Sequence, residues 1–136
     1  AGEVYAAPLE VSAEGRLVVD LAMGDLPLPQ PVALTFRQGR VVEATTLAGD
    51  SAPMAPLRER LGTDPWAWTV GELGIGANPF VRTRGATAVV EKALGTVHIA
   101  LGANRSFGGV NAAATHCDCV IGSPSVTLDG RLLVLQ

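Results

Sequence analysis

Only two histidines occur in the 136 residues, His98 and His116, and each lies in a segment whose spacing could serve chemistry. In Thr96-Val97-His98-Ile99-Ala100-Leu101, strand alternation puts Val97, Ile99 and Leu101 on one face. His98 then turns to the other face, beside the small residues Thr96 and Ala100. In His116-Cys117-Asp118-Cys119 the same period places His116 and Asp118 together, with both cysteines opposite. An imidazole and a carboxylate two apart on a strand can grip one metal ion or an adjacent pair. The ordinary alternative is that each histidine is a hydrogen-bonded structural residue. Two acidic residues join the candidates. Glu72 lies in the apolar, glycine-rich stretch Val70-Gly71-Glu72-Leu73-Gly74-Ile75-Gly76, where a carboxylate needs a metal, an arginine or exposure to water. Glu3, in Gly2-Glu3-Val4-Tyr5, reads equally well as an exposed strand residue.

Cys117 and Cys119 read as small core residues. A one-residue gap rarely meets disulfide geometry and is shorter than thiolate zinc sites use. A reducing, cytoplasmic setting is the default for such a chain. Gly74-Ile75-Gly76 and Gly108-Gly109 lack the lysine and hydroxyl spacing of a phosphate loop, so glycine here is expected to serve tight turns.

The elements that must position these residues are mostly strands. Sixteen glycines and nine prolines punctuate short apolar runs, which predicts an α+β, β-rich domain of mainly antiparallel hairpins with one or two short helices. Three hairpins are expected. The first turns at Ala13-Glu14-Gly15 between residues 3–11 and 16–21, the second at Gln38-Gly39 between 32–36 and 40–45. The third turns at Asp129-Gly130 between 125–128 and 131–135. Further strands are expected at 66–75, 96–101 and 116–121, with Trp66 and Trp68 on one strand face. A helix is expected over 52–61, capped by Asp50 or Ser51 and ended by Gly62, and a shorter one over 89–94. The Gly-, Asn- and Ser-rich segment 102–114 reads as a loop between the two histidine strands.

Composition suits one folded domain, with 48% apolar and 17% charged residues. A formal net charge of -3 with scattered basic residues argues against a nucleic-acid partner. No apolar run has the length of a membrane span. The chain opens at Ala1-Gly2-Glu3 without Met, as a fragment or a single domain of a longer protein would, though Met removal gives the same start.

Several segments, in order, resemble the M29 (aminopeptidase T-like) metallopeptidases. They are Gly2-Glu3-Val4-Tyr5-Ala6-Ala7-Pro8, Gly71-Glu72-Leu73-Gly74-Ile75-Gly76-Ala77-Asn78-Pro79, the run Glu91 to Gly102 around His98, and Gly108-Gly109-Val110-Asn111 followed by His116-Cys117-Asp118. The resemblance implies a metal pair, zinc, cobalt or manganese, held by Glu3, Glu72, His98, His116 and Asp118. It implies an aminopeptidase, a metalloprotease that trims peptide substrates by metal-assisted hydrolysis, with Glu72 beside the reacting water. It also implies that residues 1–136 form the C-terminal catalytic domain, without an N-terminal domain, of a chain that dimerises. One position departs from that family's pattern. Seven residues after His98, where its peptidases carry tyrosine, stands Arg105, a poor proton donor that could stabilise an oxyanion or hold a carboxylate. A second reading from the same superfamily is a ring-cleaving dihydroxypyridine dioxygenase with one iron(II) on His98, His116 and Asp118, which leaves Glu3 and Glu72 to other work. A third is a non-catalytic scaffold domain that keeps only the fold.

Overall fold

The structure, a computed structural model, describes residues 2–133. A five-stranded antiparallel sheet carries the candidate residues, in the order β1-β6-β7-β8-β3. Its strands are β1 (Glu3–Ala6), β3 (Ala22–Met23), β6 (Val70–Gly76), β7 (Thr96–Gly102) and β8 (His116–Gly122). A second sheet has the order β2-β4-β5, from β2 (Gly15–Val19), β4 (Val32–Arg37) and β5 (Arg40–Thr46). The pair β9 (Val126–Leu128) and β10 (Arg131–Leu133) forms a separate hairpin. Helices are short, α1 (Ala55–Leu61) and α2 (Thr87–Val90). The α+β, hairpin-rich expectation holds.

One apolar core joins the two sheets and α1. Val19, Val32, Leu34 and Phe36 of the smaller sheet meet Leu101, Cys117 and Cys119 of the larger, with Met54, Leu57 and Leu61 alongside. Both cysteines are free and buried there, as alternation requires. The opposite face of the large sheet is left for polar side chains.

Register puts those side chains together. Opposed residues in an antiparallel pair share a face. The pairs Glu3↔Gly76, Tyr5↔Gly74, Gly74↔His98, Glu72↔Ala100, Ala100↔Asp118 and Gly102↔His116 therefore place Glu3, Tyr5, Glu72, His98, His116 and Asp118 on one face. An irregularity between Val70 and Glu72 shifts the β6 register by one residue as it meets β7.

Several local expectations fail for identifiable reasons. The first hairpin does not form, because β1 pairs with β6 and β2 with β4. Pro8 follows β1 and cannot donate to a ladder, and the chain reverses in a turn where Ser12 bonds back to the Leu9 carbonyl. Residues Pro65–Trp68 form a 3-10 turn, not the start of a strand. Asp64 caps that turn by accepting from the Trp66 N–H at 3.0 Å, and Pro65 fits its first position. Trp66 is consequently exposed, and Trp68 donates its indole N–H to the Gly62 carbonyl. The second short helix runs over Thr87–Val90, two residues earlier than expected, and gives way to a turn that ends before β7. The other two hairpins form as expected; residues 134 and 135 of the third lie outside the described residues. The helix expected over 52–61 is a 3-10 turn at Ala52–Met54 continuing into α1. Asp50 Oδ1 accepts from the Ala52 N–H, and Gly62, at φ 65°, ends the helix.

Candidate metal centre

Glu72 is the hinge of the site. One carboxylate oxygen lies 3.0 Å from His98 Nε2, and the other lies 3.3 Å from His116 Nε2. Glu3 Oε2 approaches the same His98 nitrogen at 3.4 Å, and Asp118 Oδ1 approaches His116 Nε2 at 3.2 Å. The five residues singled out in the sequence thus converge. His98 is fully buried, whereas the His116 side chain keeps about a third of its surface exposed, so the cluster opens to solvent on the His116 side.

Glycine makes room for the buried ring. A Cβ on Gly74 would stand 2.0 Å from His98 Nε2 and 2.1 Å from Cε1. Gly74 is therefore a vacancy shaped for an imidazole, not the turn residue expected from sequence. His116 is fixed differently. Its Nδ1–H donates to the Ala103 carbonyl at 2.7 Å, which leaves Nε2 as the nitrogen that faces the carboxylates.

The loop that supplies Ala103 is held by two buried asparagines. Asn104 donates to the Gly71 carbonyl and to Glu10 Oε1, both at 3.0 Å, and its Oδ1 accepts from the Asn111 N–H at 2.8 Å. Asn111 donates onward to the Trp66 and Thr69 carbonyls. Glu10 also accepts the Val110 N–H at 2.7 Å, and that bond, with help from Asn104, holds its carboxyl below the ordinary value. Phe107 of the same loop stands edge-on to Tyr5 and to His116, with ring centres 5.3 and 6.4 Å apart. Arg105 opens the 3-10 turn Arg105–Phe107 and is exposed; among the described residues no ion pair joins it to the cluster.

The electrostatics follow from these contacts. Burial works against the charge of Glu72, but hydrogen bonds from His116 and His98 outweigh it and pull the carboxyl down to about 2. Hydrogen bonds to Asp118 and Glu72 push His116 up to about 11, against its desolvation. Burial would lower His98, yet the hydrogen bond and charge of Glu72 hold it above its ordinary value. Imidazoles that must stay protonated to lie among carboxylates are in places where a divalent cation can replace the proton.

The donor set fits such an ion. Glu3 with Glu72 and His98 form one trio of ligand atoms, Glu72 with His116 and Asp118 a second, each within 4.8 Å of one another. Buried Glu3 Oε2 has no hydrogen-bond partner. A third trio, Glu91 with His98 and Asp118, includes a residue that sequence reasoning did not select. Each trio has one imidazole and two carboxylates. None contains both imidazoles, because Glu72 lies between them. The grouping of His98, His116 and Asp118 expected for a single iron is not among these trios, each of which includes a glutamate.

A β-rich domain with an imidazole–carboxylate cluster on one sheet face is the class that fold and site define. The chain matches, over residues 1–136, the family described as NicX: 2,5-dihydroxypyridine 5,6-dioxygenase, and it belongs to that family. Among solved structures it is similar to 2,5-dihydroxypyridine dioxygenase from Pseudomonas putida KT2440, at 22% identity and a TM-score of 0.83. That match covers 99% of this chain and 42% of the other. It is also similar to wild-type AmpT from Thermus thermophilus, at 24% identity and a TM-score of 0.65, covering 98% of this chain and 40% of that one. The chain thus spans about two fifths of the length of these two structures. No curated protein matches it.

These findings overturn the hydrolase expectation. The family is one of dioxygenases, which are oxidoreductases, so the chain is not assigned as an aminopeptidase or protease. The likeness to AmpT is a likeness of fold. No helix among the described residues is long and apolar enough to cross a membrane.

Proposed function

We propose that this chain is the metal-bearing part of a longer iron(II)-dependent dioxygenase that opens a hydroxylated pyridine ring. The observation that carries this reading is the family match along the whole of residues 1–136. His116, Asp118 and Glu72 would hold the ion, with His98 steadying the second oxygen of Glu72. Iron(II), when bound, supplies the one-electron exchange with O2 that an organic ring cannot begin alone.

The chain's own residues supply position and shape. The Ala103 carbonyl holds the His116 ring in the tautomer whose Nε2 faces the ion. Asn104 and Asn111 fix that carbonyl by tying its loop to β6 and to the preceding turn. Tyr5 and Phe107 form an aromatic rim beside His116, suited to the face or edge of a planar ring. Asp118 also stands on the wall of a cleft of about 680 Å³, with Gly24, Asp25 and Thr87. Arg105 shares its short turn with Phe107, and its guanidinium would pair with an anionic ring oxygen.

The test is anaerobic reloading of the intact, metal-stripped polypeptide with iron(II), then addition of 2,5-dihydroxypyridine under isotopically labelled O2. The reading predicts ring-dependent oxygen uptake and both labelled atoms in an opened product, lost on His116→Ala. Oxygen uptake no greater than in the metal-free control would refute it.

A further inference from the structure

We propose that Glu91, His98 and Asp118 form a second divalent-cation seat, with His98 coordinating through Nδ1, beside the one formed by Glu72, His116 and Asp118. The seat goes beyond the dioxygenase reading, which needs one iron.

Two orphaned atoms point to it. Glu91 follows α2 directly and is 7% exposed. Its Oε1 accepts from Lys92 Nζ at 2.7 Å, while its Oε2 is buried without a hydrogen-bond partner. His98 is fully buried, its Nε2 is engaged with Glu72 and Glu3, and its Nδ1 also has no partner. Leaving such atoms unpaired in the interior costs about 1–3 kcal/mol each. A ligand atom from each of Glu91, His98 and Asp118 nevertheless lies within 4.8 Å of the other two. Ligand atoms about 2.0–2.2 Å from a shared cation stand roughly 3–4 Å apart, so small side-chain movements close the seat.

The protonation pattern suits coordination. If Nε2–H of His98 donates to Glu72 Oε1 at 3.0 Å, Nδ1 carries the lone pair. A carboxylate behind a ligating imidazole is the usual support for a metal-bound histidine. Glu72 would then ligate the first ion directly and orient the ligand of the second, while Asp118 is common to both seats. Lys92 bridges Glu91 Oε1 and Glu3 Oε1 at 2.7 and 3.1 Å, which neutralises part of the acidic cluster and leaves Glu91 Oε2 for the ion. Two carboxylates and one imidazole suit manganese(II), iron(II), cobalt(II) or zinc(II).

The experiment is a manganese(II) titration of the intact, metal-stripped polypeptide by calorimetry, with elemental analysis of the saturated protein. The wild type is expected to take up two ions per chain. Glu91→Gln is expected to take up one, and Glu91→Asp to keep a weakened second step. His116→Ala should lose the other step and keep the one that depends on Glu91. A wild-type count of one at saturation overturns the second seat whatever the variants do, and so does a count of two in folded Glu91→Gln. Neither result bears on ring-dependent oxygen uptake, so the two proposals fail separately.

Discussion

Gly74→Ala offers a sharp test of how the buried imidazole is housed. The new Cβ would lie 2.0 Å from His98 Nε2, and ordinary contact begins at 3.4 Å, so the ring must retreat by about 1.4 Å. His98 is fully buried and is held in register opposite Gly74. Overpacking of this kind costs about 1–3 kcal/mol, and losing the charged hydrogen bond to Glu72 adds about 1.5–3 kcal/mol. Removing a strand glycine returns about 0.5–1 kcal/mol. A net loss of about 3 kcal/mol follows, or a melting temperature lowered by roughly 10 °C. Denaturant unfolding followed by circular dichroism measures the loss, and elemental analysis after reconstitution measures retained metal, which should fall sharply. Gly122→Ala is the control. Its Cβ meets the flexible side chain of Leu21 at 3.1 Å, and the cost should stay near 0.5 kcal/mol. If Gly74→Ala cost no more than the control and bound metal normally, the reasoning about that vacancy would be wrong.

Other consequences are open to measurement. His116→Ala should abolish metal uptake at the Glu72–His116–Asp118 seat while costing the metal-free fold about 1 kcal/mol, because the ring is partly exposed and outside the apolar core; a far larger fall in metal-free melting temperature would indicate a packing role. The metal-free protein should be most stable between about pH 4.5 and 6.5. The raised His116 contributes fully below its ordinary 6.5, a contribution lost as pH climbs through about 11. The lowered Glu72 contributes above its ordinary 4.5, a contribution lost as pH falls through about 2. Melting curves across this range should lose most of their alkaline decline in His116→Gln, and an unchanged decline would assign it to another group. Glu10→Gln should loosen the loop that carries Ala103, costing about 1 kcal/mol. Faster hydrogen exchange at the Val110 amide would show this, whereas unaltered protection would mean that the asparagines suffice.

Much of the site was legible because strand alternation is a local signal. It placed His98 on one face and His116 with Asp118 on one face, and it sent both cysteines to the core. Glu3 and Glu72 needed the family resemblance, since their convergence depends on β1 pairing with β6, a contact across more than sixty residues that no local turn announces. The first hairpin failed for the same reason. Glu91 was invisible: next to Lys92 at a helix end it looks like an ordinary surface ion pair, and only the fold buries it beside His98. The Asp64-Pro65 start of the 3-10 turn was readable from capping chemistry but was masked by the apolar residues after it. The chemistry itself was misread. Ligand types and spacing are shared by hydrolytic and oxygen-activating sites, and the family match favours the second.

The most direct test of convergence on Glu72 is anomalous diffraction at the iron edge from crystals of the intact polypeptide loaded anaerobically with iron(II). The account predicts a peak about 2.0–2.2 Å from His116 Nε2 and from oxygens of Glu72 and Asp118. Ordered iron bound elsewhere, with no peak among those three side chains, would contradict it.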